Sequence, residues 1–124
     1  MNQSWIEIDA TDQSVGRVAT KVAGLLMGKD EVAYARNRDA GRNIVIINCA
    51  KLRQTERRGS ELKYRHSGYL GNLKETKKRD ISPSKLMSEA VRGMLPQNKL
   101  SRELLKRLHC VNTEEHPYKG QTHE

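Results

Sequence analysis

A chain of 124 residues with 35% hydrophobic, 31% charged and 4% aromatic side chains has the length of one domain and the composition for a modest core. No run of about 18 apolar residues is present, which excludes a transmembrane helix, and two cysteines in this length cannot form a disulfide scaffold. The net charge of +8 is one-sided, because residues 1–50 hold 6 basic and 6 acidic groups whereas residues 51–124 hold 17 and 9. A neutral folding half joined to a basic half points to a polyanion, and nucleic acid comes before membrane because no stretch pairs a basic face with a bulky apolar one.

In chain order, Trp5-Ile6-Glu7-Ile8-Asp9 reads as a first strand. Asp12 or Ser14 then caps a helix whose Val15, Val18, Ala19, Val22, Leu25 and Leu26 recur at helical spacing, and Gly28 stops it. A connection carrying Arg36, Arg38 and Arg42 leads to Ile44-Val45-Ile46-Ile47, a continuous β-branched run expected to be covered on both faces. A short helical turn is expected from Asn48 to Thr55, a weaker third strand from Glu61 to His66, and a loop or hairpin from Ser67 to Arg79. Ser82 and Pro83 open a helix that Pro96 ends, and a second helix begins near Asn98. Lys99, Arg102 and Lys106 share one face of that helix, apart from Leu100, Leu104 and Leu108. His109-Cys110-Val111 reads as a last short strand, followed from about residue 113 by an irregular tail. The alternation of strand and helix predicts an α/β domain over residues 1–124, with a parallel sheet between helices. The opening residues lack the basic-then-apolar order of a secretory leader, so a reducing cytoplasm is the expected compartment.

Several chemistries fall away on residue type and spacing. The junction from Asp9 to Gly16 stands where a dinucleotide fingerprint would, but it has one glycine rather than three and two acids that repel phosphate. The cysteines and histidines form no close pair of the kind zinc sites use, and His109 and Cys110 point to opposite faces of a strand. Glu7, Asp9, Asp12 and Asp39 are not brought by the sequence into an apolar pocket, so caps and loop ends are their expected roles. No catalytic residue, metal, cofactor or small-molecule substrate is expected.

The stretch from His66 to Lys74 is the informative one. Gly68 and Gly71 remove side-chain bulk, Tyr69 offers a stacking face, and His66, Ser67 and Asn72 offer hydrogen bonds to phosphate or 2′-hydroxyls. Lys63, Arg65, Lys74, Lys77, Lys78 and Arg79 surround it with positive charge. The ordinary alternative is a glycine hairpin with solvated lysines. The Gly-x-x-Gly unit also occurs in KH modules, where it joins two helices; here it follows a strand-like run.

The ordered strings of the chain resemble the large-subunit ribosomal protein thirteen family in its bacterial form. They are Trp5-x-x-Ile8-Asp9-Ala10, Gly16-Arg17-Val18-Ala19-Thr20, Leu26-x-Gly28-Lys29, Asp39-x-Gly41 and Val45-x-x-Asn48-x-x-Lys51. Tyr64-x-His66-Ser67-Gly68-Tyr69-x-Gly71-x-Leu73-Lys74, the run from Ala90 through Arg92 to Leu100, and His116-Pro117 with Gln121 complete them. The resemblance implies a three-layer α/β/α fold around a four-stranded, mainly parallel sheet. It also implies a non-catalytic protein bound to large-subunit ribosomal RNA and to neighbouring large-subunit proteins, present early in subunit assembly. The basic residues Arg17, Lys29, Lys51 and Arg92 of the matched strings join Arg36, Arg38, the His66 stretch and Lys99, Arg102 and Lys106 as the expected RNA contacts. Ser101 stands where the family usually has Gly, Thr55-Glu56 where it often has Thr-Gly, and the segments before Trp5 and after His116 are short relative to it. A free-standing KH-like RNA regulator and a small nucleotide-binding α/β enzyme are the two rival readings.

Overall fold

A computed structural model describes residues 4–39, 42–54 and 59–119. Gly41, Thr55, Glu56, Gln121 and His123 lie outside the described residues. Strand β1 (Trp5–Asp9) runs into helix α1 (Val15–Met27) and returns as β2 (Asn43–Ile47), parallel to β1 in the register Trp5↔Asn43 to Asp9↔Ile47. Ser14 takes the extended N-cap position of α1 without a side-chain bond to the helix. Asp12 instead lies in the preceding turn at φ 59°. Gly28 closes α1 at φ 75°, its N–H donating to Leu25 O and that of Lys29 to Gly24 O, both at 3.1 Å. This is the reciprocal pair that left-handed glycine makes possible at a helix end.

After a short 3₁₀ turn at Cys49–Lys51, strands β3 (Leu62–His66) and β4 (Leu73–Lys77) form an antiparallel hairpin, followed by a 3₁₀ turn at Lys78–Asp80. Helix α2 (Pro83–Met94) has Pro83 in its first turn, and α3 (Lys99–Lys106) is capped by Asn98, whose Oδ1 accepts from Ser101 N at 3.0 Å. Ser101 Oγ donates to Asn98 O at 2.7 Å, so the serine that replaces the expected glycine helps to close this turn. Strand β5 (Leu108–Cys110) then pairs parallel with β2, giving the order β1-β2-β5.

All five residues of β2 are buried, as a β-branched central strand requires. Ile44 and Ile46 face α1, α2 and α3, and pack with Ile8, Val18, Val22, Leu26, Met87, Val91 and Leu104. Leu25, expected in the buried face, is only half-buried at its margin. The opposite face of the sheet presents Glu7, Val45 and His109 in one row. There His116 Nε2 meets Glu7 Oε2 at 3.0 Å, and Trp5 and Tyr118 lie 5.5 and 4.5 Å from the His109 ring. Tyr118 N donates to His116 Nδ1 at 3.1 Å, so the proton of a neutral His116 ring sits on Nε2 and is given to Glu7.

Two fold expectations are corrected. Among the described residues the parallel sheet has three strands rather than four. The expected third strand carries Lys63 and Arg65 on one side of the pleat and His66 on the other, and no strand between two covered faces tolerates such charge. It pairs instead with β4, which is exposed along its whole length. Among the described residues the second cover of the sheet is also not a helix. The connection from Lys29 to Arg42 lacks an apolar helical stripe. A few rings of the 109–118 segment close that face in place of an amphipathic helix.

Burial within this aromatic stack pushes the His109 imidazole below its ordinary value of 6.5. The unfolded chain therefore takes up this proton first as pH falls. The stability held by neutral His109 is complete above about pH 6.5 and is lost as pH drops through the lowered folded value. The carboxyls of Asp9, Asp30 and Glu89 are held below their ordinary range, by bonds from Thr11, Arg42 and Lys63 in turn, and act only in more acid solution. Melting temperature should fall between pH 7.5 and 5.5, and the fall should be smaller in His109→Phe. An identical slope in both proteins would remove His109 from this role.

Candidate nucleic-acid interface

The hairpin stands away from the body. Residues 61–77 are exposed except for half-buried Lys63, which pairs with Glu89 of α2. At the same base Lys78 Nζ meets Glu61 at 2.6 Å. A two-stranded hairpin with no buried face is marginal by itself, so ten strand residues held this way contribute little to folding.

Its two faces differ. Tyr64, His66, Leu73 and Lys77 lie on one with Leu62 and Glu75, while Lys63, Arg65, Lys74 and Thr76 share the other. Arg65 is directly opposite Lys74. Like charges in that position destabilise a strand pair, and no ion pair within the described residues relieves them. At the tip, Gly68 and Gly71 adopt φ 92° and 78°, and a Cβ at either would meet nothing within 4 Å. Their need for glycine is therefore conformational. Gly68 N donates to His66 Nδ1 at 2.9 Å, which leaves the Nε2–H of a neutral His66 as an outward donor. Asn72 Nδ2 donates to Ser67 Oγ at 3.1 Å, while Tyr69 and Leu70 are 75% and 103% exposed. This turn joins two strands, so it is not the helix-joining unit of a KH module.

The remaining expected contacts fall into separate groups. Arg17, Lys63 and Lys78 line a cleft between the start of α1, the hairpin base and α2. Lys29, Arg36 and Arg38 line a second hollow over Met27, Pro96, Leu100 and Leu104. Arg92, Lys99, Arg102 and Lys106 are on exposed helical surface and line neither hollow, and Lys106 pairs with Glu103 at 3.2 Å. Lys51 is near the Asp9 carboxylate, and Arg79 is exposed in the turn after β4. Arg53, absent from the sequence expectation, also lines the first cleft. Sequence alone held one signal for it, its place in the excess charge after residue 50.

The described residues contain no group of three or more metal-ligating side chains, and no helix among them is long and apolar enough to cross a membrane. Cys49 and Cys110 are free and lie outside both hollows. A hydrogen bond from Cys110 lowers the Cys49 thiol, and that bond together with burial pushes Cys110 far up. The carboxylate of Asp9, at the end of β1, accepts from Thr11 N and Oγ1 at 2.9 and 2.6 Å and from Asn48 at 3.2 Å. It acts as a turn-closing acceptor there.

The family model of ribosomal protein L13 matches residues 3–117. The chain belongs to that family. It is 41% identical over its full length to a large ribosomal subunit protein uL13 of Corynebacterium diphtheriae, covering 87% of that protein. It is likewise 41% identical over 98% of its length to a uL13 of Desulfovibrio desulfuricans, covering 87% of it. With a uL13 of Bifidobacterium adolescentis the identity is 40% over 97% of the chain and 83% of the relative. The L13 family is structural and non-enzymatic, in keeping with an interface built from cations, glycines and exposed rings.

Proposed function

We propose that this chain is a structural constituent of the large ribosomal subunit that holds folded large-subunit ribosomal RNA, in the cytoplasm and beside other large-subunit proteins. The single observation that carries the mode of binding is the exposed hairpin with Arg65 opposite Lys74. The chain keeps a repulsive pair on an element that buries almost nothing, and an external polyanion is what turns that pair into a gain. Phosphate neutralisation by Lys and Arg supplies affinity, while the glycine turn with His66, Ser67 and Tyr69 supplies fit to RNA shape. The hollow bearing Lys29, Arg36 and Arg38 adds contacts at the other end of α1. The rival enzyme reading has no support in the β1–α1 junction, whose Asp9 carboxylate is occupied by Thr11 and Asn48.

The direct test is sedimentation of the tagged full chain expressed in bacteria. The protein should travel with large subunits and whole ribosomes through a sucrose gradient, and should already be found in large-subunit precursors. Recovery only at the top of the gradient, with the folded protein present, would overturn this assignment.

A further inference from the structure

The cleft at the hairpin base has a volume of about 530 Å³. That is within the range of small-molecule pockets, about 300–1,000 Å³, and far more than the roughly 30 Å³ of one water. Four cations from four segments converge on it: Arg17 of α1, Arg53 after the first 3₁₀ turn, Lys63 of β3 and Lys78 after β4. Glu89 is the acid in its lining and is engaged by Lys63, while Lys78 is engaged by Glu61 outside. Neither Arg17 nor Arg53 is ion-paired among the described residues, so both guanidinium charges are left over.

The site is built rather than incidental. Arg53 N donates to Gln13 O at 3.0 Å, and Ser14 and Arg53 form a parallel bridge that ties its backbone to the start of α1. Because Ser14 makes no side-chain cap, first-turn N–H groups near Gly16 and Arg17 add to the positive end of the helix. Val15, Leu86 and Ala90 give the cleft an apolar wall.

From this geometry we infer that the cleft clamps a phosphodiester of the RNA backbone between Arg17 and Arg53, with the adjoining ribose against the apolar wall. This rests on the RNA-binding reading above and gives it a second anchor that the hairpin tip does not supply. Guanidinium groups present paired donors matched to two phosphate oxygens, whereas lysine offers a point charge. The anchor also explains why Lys63 and Lys78 carry their own acids: they secure the hairpin over the cleft and leave the arginines for the ligand.

The test uses the full-length protein, purified large-subunit ribosomal RNA and filter retention across a potassium chloride series. Both arginines are exposed, so Arg17→Gln and Arg53→Gln leave the core intact. The double variant should bind about tenfold or more weakly, and its log–log salt slope should be shallower by about 1.4–1.8, the release of two phosphate contacts. Arg53→Lys should keep the slope but recover only part of the affinity. Parental affinity and slope in the double variant, together with weakened binding by Arg65→Gln/Lys74→Gln, would overturn the clamp and leave the hairpin reading standing. Parental binding in both double variants would overturn the hairpin reading as well. Equal loss for Arg53→Lys and Arg53→Gln without a slope change in either would mean that Arg53 shapes the protein rather than holds phosphate, and would also overturn the clamp.

Discussion

Val22→Asp should abolish the folded state or lower its melting temperature by about 15 °C or more. Val22 is fully buried in the middle of α1, against the sheet face made by Ile8, Ile44 and Ile46. None of Ile8, Ile44 and Ile46 can donate to a carboxylate, so the variant must desolvate a charge or take up a proton, at a cost of several kcal/mol either way. A domain of this size has a total stability of only about 5–15 kcal/mol. Each kcal/mol lost lowers the midpoint by roughly 4 °C in this size range. Lys21, next in the chain, is exposed, and Lys21→Asp should change stability by no more than about 0.5 kcal/mol. Thermal melts followed by circular dichroism separate the two variants. Near-parental melting of Val22→Asp would show that this face of α1 does not meet the sheet.

That contrast also shows where sequence reasoning works and where it stops. The α1 face and the strand at Ile44 were legible because one periodicity, 3.6 or continuous, persisted over enough residues to exclude the other. Gly28 and Asn98 were legible as helix punctuation because each has a local mechanism, a left-handed φ in one case and a side-chain acceptor in the other. The partner of β3 was not legible, since Lys63 to His66 alternates without stating which strand it meets. It was the burial of the β2 faces that left no place for those charges in the parallel sheet. The cover of the outer sheet face was missed for a different reason. It is made by single rings, Trp5, His109 and Tyr118, more than 100 residues apart in the chain at their ends, and no window of sequence joins them. Arg53 was missed in the same way, because its value comes from a backbone bridge to Ser14 and from neighbours on α1 and β3. The hairpin's basic character was plain, but its division into two faces depended on register. Lys74 and Lys77 look interchangeable in the sequence and lie on opposite sides of β4.

That division sharpens what the hairpin should do when its charges are removed. Arg65→Gln/Lys74→Gln should leave the free protein as stable as the parent, or more stable by about 0.2–1 kcal/mol, because a directly opposed like-charge pair is relieved. The same variant should bind large-subunit ribosomal RNA about tenfold less tightly, with a salt slope shallower by about 1.4–1.8 for two lost phosphate contacts. A structural pair would move both readouts in one direction, whereas a pair kept for a polyanion moves them apart. Lys77→Gln, on the face with Tyr64 and Leu73, should remove at most one contact, about 0.7–0.9 in slope. Gly71→Val should act without touching charge. At φ 78° a β-branched residue is strained, so the tip should rearrange, and affinity should fall while the slope holds. Gly71→Asn tolerates that conformation better and should retain most of the binding. Melting curves and filter retention on the same preparations decide the matter. If Arg65→Gln/Lys74→Gln keeps both parental affinity and parental slope, the hairpin is solvated surface and the RNA is held elsewhere on the molecule.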